Sequence, residues 1–285
     1  MSKLITMDIG SFNIKLNNGD IHENRFLLDN ETDIFGHEAI KFENNVYFFG
    51  KGQFDRKITK AKKNIEVPLL YGLGKAGVAG NINLILHLPA NQMPMKSEII
   101  DRLQGKTLSF ELNGQANSVT FDKVGILKEG FSSFYALHKR STGLVAIIDI
   151  GGRTTDIFTF SEGREEVESS LPVGTMDYFS DIADNLSGKG EPRVMEEIHK
   201  LINNDLIDLK DFEPITDKIF NTMLNSITMK FPNLNDYSIK LCGGGADYFE
   251  SRFKKVFKKV SQVTNTLTSN VDGAEKIGKA KGLDK

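Results

Sequence analysis

Two stretches decide the fold: Leu4–Leu16, LITMDIGSFNIKL, and Val145–Phe160, VAIIDIGGRTTDIFTF. Each is an apolar run that ends in Asp-Ile-Gly, followed by a short polar turn and an alternating apolar strand. Asp8 and Asp149 occupy the same place in the two copies. One such hairpin could be a buried strand with an acidic end. Two of them, in separate halves of one chain, predict a duplicated fold that grips a ligand between its halves.

The surrounding composition limits the alternatives. The chain has 285 residues, of which 39% are apolar and 26% charged. That profile belongs to a globular protein with room for two domains. A net charge of -2 argues against direct nucleic-acid binding. The lysines between Lys254 and Lys259 accompany Phe253, Val256, Phe257 and Val260, and read as the solvated face of a helix. The single cysteine, Cys242, excludes an internal disulfide framework and reads as a buried thiol. Five scattered histidines show no metal-ligand spacing and suit surface or packing roles. With no signal-type leader and no apolar run of transmembrane length, the expected location is the cytoplasm, without a membrane partner.

Strand and helix signals alternate along the chain. After the first hairpin, Asn18-Gly19 marks a tight turn. Short strands are predicted near 25–28, 39–42 and 45–49, and Gly50–Gly52 reads as a turn. Thr59–Asn64 reads as a basic, exposed segment. A helix is predicted over Val67–Ala79, a buried strand over Asn83–Leu88 and a connecting segment over Ser97–Gln104. Strands near 107–112 and 118–127 flank Asn113-Gly114, and a helix over Phe131–Lys139 leads to the second hairpin. Helices follow at Met176–Leu186, Pro192–Ile207 and Ile215–Lys230. A short strand, Ser238–Leu241, then runs into Gly243-Gly244-Gly245, with helices at Tyr248–Phe257 and Ala274–Lys281. The order predicts an α/β protein in two lobes, residues 1–143 and 144–285.

Such hairpins suit a nucleoside triphosphate. Gly10, Gly151 and Gly152 permit close approach to phosphate, and successive N–H groups in their turns form an anion-binding concavity. Ser11, Asn13, Thr154 and Thr155 can add polar donors. Asp8 and Asp149 would repel phosphate, so their expected task is holding magnesium, through water. There is no GxxxxGK[ST] loop, which excludes the P-loop class.

These motifs resemble those of the actin, sugar-kinase and heat-shock ATPase superfamily. Met7–Lys15 and Ile147–Asp156 are similar to its two phosphate motifs, and Leu241–Asp247 to its adenosine motif. Within the superfamily the chain looks like the bacterial actin-like plasmid-segregation proteins of the ParM class. That likeness rests on YFFGKGQFDRKITKAKKN (Tyr47–Asn64), the following VPLLYGL, and the loop IGGRTTD (Ile150–Asp156). It implies an actin-like, ribonuclease H-like two-lobe fold with a nucleotide cleft between the lobes. A small subdomain is expected at about 17–75 and a reduced one at about 187–215.

The resemblance also implies roles. Gly10, Ser11, Asn13, Gly151, Gly152, Arg153 and Thr154 would serve the phosphates. Lys15 matches the family lysine that reaches them, although a solvated strand-end lysine fits its position equally. Gly174, Gly243, Gly244 and Gly245 would line the base side. Asp8 and Asp149 would hold Mg²⁺ and take part in catalysis. Glu129 falls where the class carries a glutamate that orients or activates water. Asp156 would support the second loop, by a structural or a catalytic hydrogen bond. Arg153, in place of the first Thr of the commoner GGTT form, would bring positive charge near the phosphates.

The implied activity is hydrolysis of ATP or GTP with Mg²⁺, coupled to assembly into an open helical filament of the same chain. The implied partner is a ParR-like DNA-binding adaptor on a plasmid centromere, with no direct contact to nucleic acid. Two alternatives stand beside it: a small-molecule kinase of the superfamily, and a non-polymerising scaffold of the FtsA or PilM kind.

Overall fold

The structure, a computed structural model, describes residues 2–28, 38–57, 59–137 and 143–285. The chain forms two compact units, Met1–Lys139 with Leu267–Lys285, and Arg140–Thr266.

Unit 1 starts with β1 (Lys3–Ile9), β2 (Asn13–Leu16), β3 (Ile21–Glu23) and β4 (Arg25–Leu28), followed by β5 (Ala39–Phe42) and β6 (Asn45–Phe54). Then come α1 (Glu66–Lys75), β7 (Gly80–Leu88), α2 (Lys96–Leu103), β8 (Thr107–Leu112), β9 (Gln115–Lys128) and α3 (Phe131–Ala136). Its strands form one sheet in the order β3-β2-β1-β7-β9-β8-β5-β6-β4. The Asn113-Gly114 turn between β8 and β9 has both residues at positive φ, 50° and 83°, as a tight hairpin requires.

Unit 2 holds β10 (Leu144–Ile150), β11 (Thr155–Ser161), β12 (Arg164–Leu171), α4 (Thr175–Gly188), α5 (Met195–Asn203), α6 (Glu213–Lys230), β13 (Ser238–Cys242), α7 (Ala246–Val256) and β14 (Val260–Gln262). The sheet order is β12-β11-β10-β13-β14. The final helix, α8 (Ser269–Ala280), belongs to unit 1.

The duplication is visible in the topology. β1 pairs antiparallel with β2 and parallel with β7, while β10 pairs antiparallel with β11 and parallel with β13. The outer pairs follow suit: β2 with β3 and β11 with β12 are antiparallel, β7 with β9 and β13 with β14 parallel. Five strands of unit 1 thus repeat the whole sheet of unit 2, and β8, β5, β6 and β4 extend the first copy.

Both central strands read as unbroken apolar runs because both faces of the sheet are covered. Ile147, Ile148 and Ile150 on β10 are fully buried. In unit 1, Met7 and Ile14 share a core with Leu69, Leu70 and Leu73 of α1. Leu4 and Ile85 pack on Ala274 of α8. No helix among the described residues is long and apolar enough to cross a membrane.

Several expectations change. The sequence places 267–285 in the second lobe, whereas α8 packs with unit 1, and the units divide at 139/140. Residues 97–104, expected to be a connection, form most of α2; Ile99 and Leu103, one helical turn apart, are its buried face. Gly50 and Gly52 lie inside the long strand β6, beside a bulge in its pairing with β4. The strand β14 carried no signal, being three half-buried residues. The basic segment 59–64 is not exposed throughout, since Lys60 and Ala61 are buried. Where a reduced subdomain is expected, about 187–215, the chain forms α5 and a 3₁₀ turn, Leu209–Phe212. The predicted helix over Phe131–Lys139 is seen as Phe131–Ala136, and its last two residues lie outside the described residues.

Candidate functional site

Each unit carries a loop built the same way. In unit 1, the Gly10 N–H donates to Asn13 O at 2.9 Å; in unit 2, the Gly151 N–H donates to Thr154 O at 2.9 Å. The strand register matches as well, since Asp8 lies opposite Lys15 and Asp149 opposite Asp156. The two DIG motifs therefore close the same four-residue turn.

What lies behind each loop decides what its amides can do. In unit 2, Gly151 O accepts the Thr175 N–H at 3.0 Å and Gly152 O accepts the Met176 N–H at 2.9 Å. Those donors are the first turn of α4. A peptide's N–H and C=O point in opposite directions. With both carbonyls turned to α4, the N–H groups of Gly152 and Arg153 point away from the helix, as an anion cradle needs. In unit 1 the same service comes from Asn24. Its Nδ2 donates to Gly10 O at 2.6 Å, and its own N–H donates to Phe12 O at 2.7 Å. The amides of Ser11 and Asn13 are thereby turned away from Asn24. No motif singles out Asn24; it lies between β3 and β4, and only the folded hairpin brings it under the loop.

Four charged side chains of unit 1 form a quartet, with Asp8 and Lys60 buried and Lys15 and Glu129 partly buried. Asp8 Oδ2 accepts from Lys15 Nζ at 2.9 Å, and Asp8 Oδ1 accepts from Lys60 Nζ at 3.2 Å. Lys60 Nζ also donates to Glu129 Oε1 at 2.6 Å. Two carboxylates and two ammonium groups balance. Burial works to raise the Asp8 pKa, but Lys15 and then Lys60 overcome it and hold the carboxyl well below its usual range. Burial works to lower the Lys60 pKa, and Glu129 and Asp8 push it up to about 12. His87 lies behind Asp8, with Nδ1 3.3 Å from Met7 O and Nε2 3.2 Å from Ser132 Oγ. The Met7 carbonyl can only accept, so Nδ1 carries the proton and Nε2 accepts the Ser132 hydroxyl. Burial lowers the His87 pKa, while the Asp8 charge works against that.

Lys60 is the member of the quartet that sequence reasoning misplaced. It is held in position by its surroundings: its N–H donates to the buried Gln92 Oε1 at 2.6 Å. Arg102 braces the same turn through Ala61 O at 3.0 Å, Lys63 O at 3.1 Å and Glu66 Oε1 at 2.7 Å. The available signal was weak: a lysine in a lysine-rich segment, directly after a threonine, ahead of a helix.

In unit 2, Asp149 is buried at the end of β10, beside Cys242 in the parallel register with β13. Gly243 has φ +80°, and a Cβ there would collide with Asp149 Oδ1 and Ile150 O. The triple-glycine turn thus seats directly on the DIG motif, with the Gly245 N–H donating to Ile150 O at 2.9 Å. Gly174 also supports the loop, since its Cβ would stand 2.6 Å from Gly151 O. The Thr154 hydroxyl donates to Asp156 Oδ2 at 2.9 Å. Arg153 is tied to Asp177 Oδ1 at 3.5 Å, and the same carboxylate, through Oδ2, accepts the Gly174 N–H at 2.9 Å. Gly151, Gly152, Arg153, Thr154, Gly174, Gly243 and Gly245 therefore belong to one cluster around Asp149, and Gly244 lies within its turn. Gly10, Ser11, Asn13, Lys15 and Glu129 share unit 1 with Asp8.

Among the described residues, no group of three or more acidic, histidine or cysteine side chains could hold a metal by itself. A carboxylate suits Mg²⁺, which keeps several waters and takes oxygens from a phosphate. Asp149, buried at the end of β10, supplies one in unit 2. Asp8 would supply one in unit 1 only by giving up a lysine, since both its oxygens accept from ammonium groups.

No family model matches the chain, and no curated protein matches it. Solved structures do. An archaeal actin homolog superposes with TM-score 0.83 at 16% identity, covering 98% of this chain and 99% of its own; it has also been solved in complex with ADP. A ParM filament from Clostridium botulinum gives TM-score 0.75 at 15% identity, over 98% and 100% of the two chains. An AlfA filament bound to AMPPNP gives 0.68 at 15% identity, over the full length of both. At such identities the likeness establishes the fold, and the fold is actin-like along the whole chain.

Proposed function

We propose that this is a nucleotide-dependent filament protein that binds ATP or GTP and hydrolyses it as it assembles with copies of itself. The observation that carries the proposal is the duplicated loop. Two DIG turns with the same hydrogen bond and register each present amides away from a fixed backing. Each loop can then take phosphate oxygens of a nucleotide, which is the use that the duplicated motif in the sequence implies. The solved actin homolog with ADP and the AlfA filament with AMPPNP support this assignment.

In this proposal the amides of Ser11, Asn13, Gly152 and Arg153 bind phosphate oxygens. Lys15 and Lys60 offset their charge. Glu129 orients the attacking water, and the Lys60 ammonium holds its carboxylate in place. Asp149 would hold Mg²⁺ through water, with Asp8 as a second site once the phosphates draw Lys15 or Lys60 away. When bound, the ion would neutralise charge on the transferring phosphoryl group. The cargo in this proposal is a plasmid held through a ParR-like DNA-binding adaptor, and the near-neutral net charge of -2 fits that indirect link.

The test is light scattering and electron microscopy of the purified protein with ATP, GTP or neither. Fibres are expected only with a nucleoside triphosphate. Glu129→Ala should slow phosphate release while leaving nucleotide-dependent assembly. Absence of both nucleotide binding and fibres would refute the proposal. Phosphoryl transfer to an added sugar or acid would point to the kinase alternative.

A further inference from the structure

One buried polar cluster lies behind the charged quartet, between α3 and α8. Asn270 on α8 is 5% exposed. Its Oδ1 accepts the Gly130 N–H at 2.9 Å and the Ser133 hydroxyl at 3.0 Å. Ser133 Oγ also lies 2.8 Å from Ser269 Oγ. Helix α3 has no side-chain cap from its own N-terminal residue, Gly130, which sits at φ +77°. Asn270 supplies that cap from a helix far along the chain. The two helices meet backbone to backbone, since a Cβ at Gly273 would collide with Ser132 O. Thr6 Oγ1 donates to Val271 O at 2.8 Å and ties α8 to β1, two residues before Asp8.

The consequence falls on Glu129. Its own N–H donates to Leu88 O at 2.8 Å, at the end of β7. The next N–H, that of Gly130, is held by Asn270. Both peptide planes flanking the Glu129 Cα are therefore fixed, one by the sheet and one by α8. With the Cα so oriented, the Cβ direction is set, and the side chain ends 2.6 Å from Lys60 Nζ. A reacting water tolerates little misplacement, because an error of about 1 Å can cost about 10²-fold in rate.

We infer that Asn270 is a positioning residue for Glu129: by accepting the Gly130 amide it orients the carboxylate that acts on the water. This deepens the proposed function and rests on it. Asn270 touches neither nucleotide nor water in this assignment. It places the side chain that does.

The experiment compares Asn270→Ala and Asn270→Asp in the full chain. Aspartate keeps the acceptor for Gly130 and alanine removes it. Asn270→Ala should lower kcat about tenfold with KM within about twofold, an intermediate loss on the scale of such misplacements. Asn270→Asp should recover most of the rate. In a Glu129→Gln background Asn270→Ala should cost less than about twofold, since residues acting through one group are not additive. Apart from activity, hydrogen exchange at the Gly130 amide should speed up at least tenfold in Asn270→Ala, with the β7 amides unchanged. If Asn270→Ala melts out, Asn270→Gln shifts the acceptor by one methylene and should show the same kcat loss. Parental kcat in these variants, full additivity with Glu129→Gln, or a protected Gly130 amide would each overturn the inference. A parental protein that neither binds nor hydrolyses nucleoside triphosphate would instead refute the underlying function, and the exchange result would still test the contact.

Discussion

Replacing Lys60 by Met isolates the charge balance of unit 1. Methionine keeps most of the apolar stem and deletes the ammonium group. Lys60 Nζ lies 3.2 Å from Asp8 Oδ1 and 2.6 Å from Glu129 Oε1, with the three side chains 11%, 5% and 16% exposed. After the change, Asp8 and Glu129 face Lys15 alone, and one negative charge is uncompensated. Removing one partner of a buried ion pair costs about 3–5 kcal/mol, mostly because the remaining charge is stranded. For a unit of this size that corresponds to a fall of about 6–20 °C in its melting transition, at roughly 2–4 °C per kcal/mol. The second step of the cycle is Lys60→Met with Glu129→Gln. The neutral amide removes the stranded charge and leaves Asp8 paired with Lys15. The double variant should regain about 2 kcal/mol over Lys60→Met, a coupling typical of contacting charges. Scanning calorimetry near pH 7, which resolves the two units if they melt separately, measures all four proteins. A loss below about 1 kcal/mol for Lys60→Met would show that the quartet does not stabilise the nucleotide-free protein. Full additivity would show that Lys60 and Glu129 do not act as a pair.

Other outcomes follow from the same geometry. Asp149→Ala should abolish hydrolysis and weaken the magnesium dependence of nucleotide binding, measured by calorimetry with and without the ion. Gly243→Ala should disrupt the second loop, because a Cβ there meets Asp149 and Ile150 in a left-handed backbone conformation; its melting point should fall and nucleotide binding should be lost. Asp8, held low in the folded state, stabilises the fold above its ordinary pKa of 3.8, and that contribution is lost as pH falls through this value and below. Urea midpoints should therefore drop between neutral pH and about pH 3, and the drop should be shallower in Asp8→Asn.

The candidate site was legible in part. Asp8, Gly10, Asp149 and Gly151 could be found because a close turn demands glycine at a fixed distance from a strand-end carboxylate. That demand is local, so it leaves a pattern in thirteen to sixteen consecutive residues. Lys60 and Asn24 left none. Their chemistry is ordinary for a lysine-rich stretch and a hairpin asparagine, and their task depends on which backbone they meet. The helix α2 and the strand β14 were missed because eight and three residues are too few for periodicity to separate them from a loop.

The sequence by itself determined the duplication. Two strand-turn-strand motifs with the same spacing forced two like sheets, since hydrophobic alternation and glycine turns act over neighbours along the chain. The tertiary structure alone decided that α8 returns to the first unit and caps α3, that Asn24 backs one loop where α4 backs the other, and that Lys60 closes a neutral quartet with Asp8, Lys15 and Glu129. Those contacts join residues up to 265 positions apart. Burial makes each of them matter, and burial is a property of the packed chain, not of any segment in it.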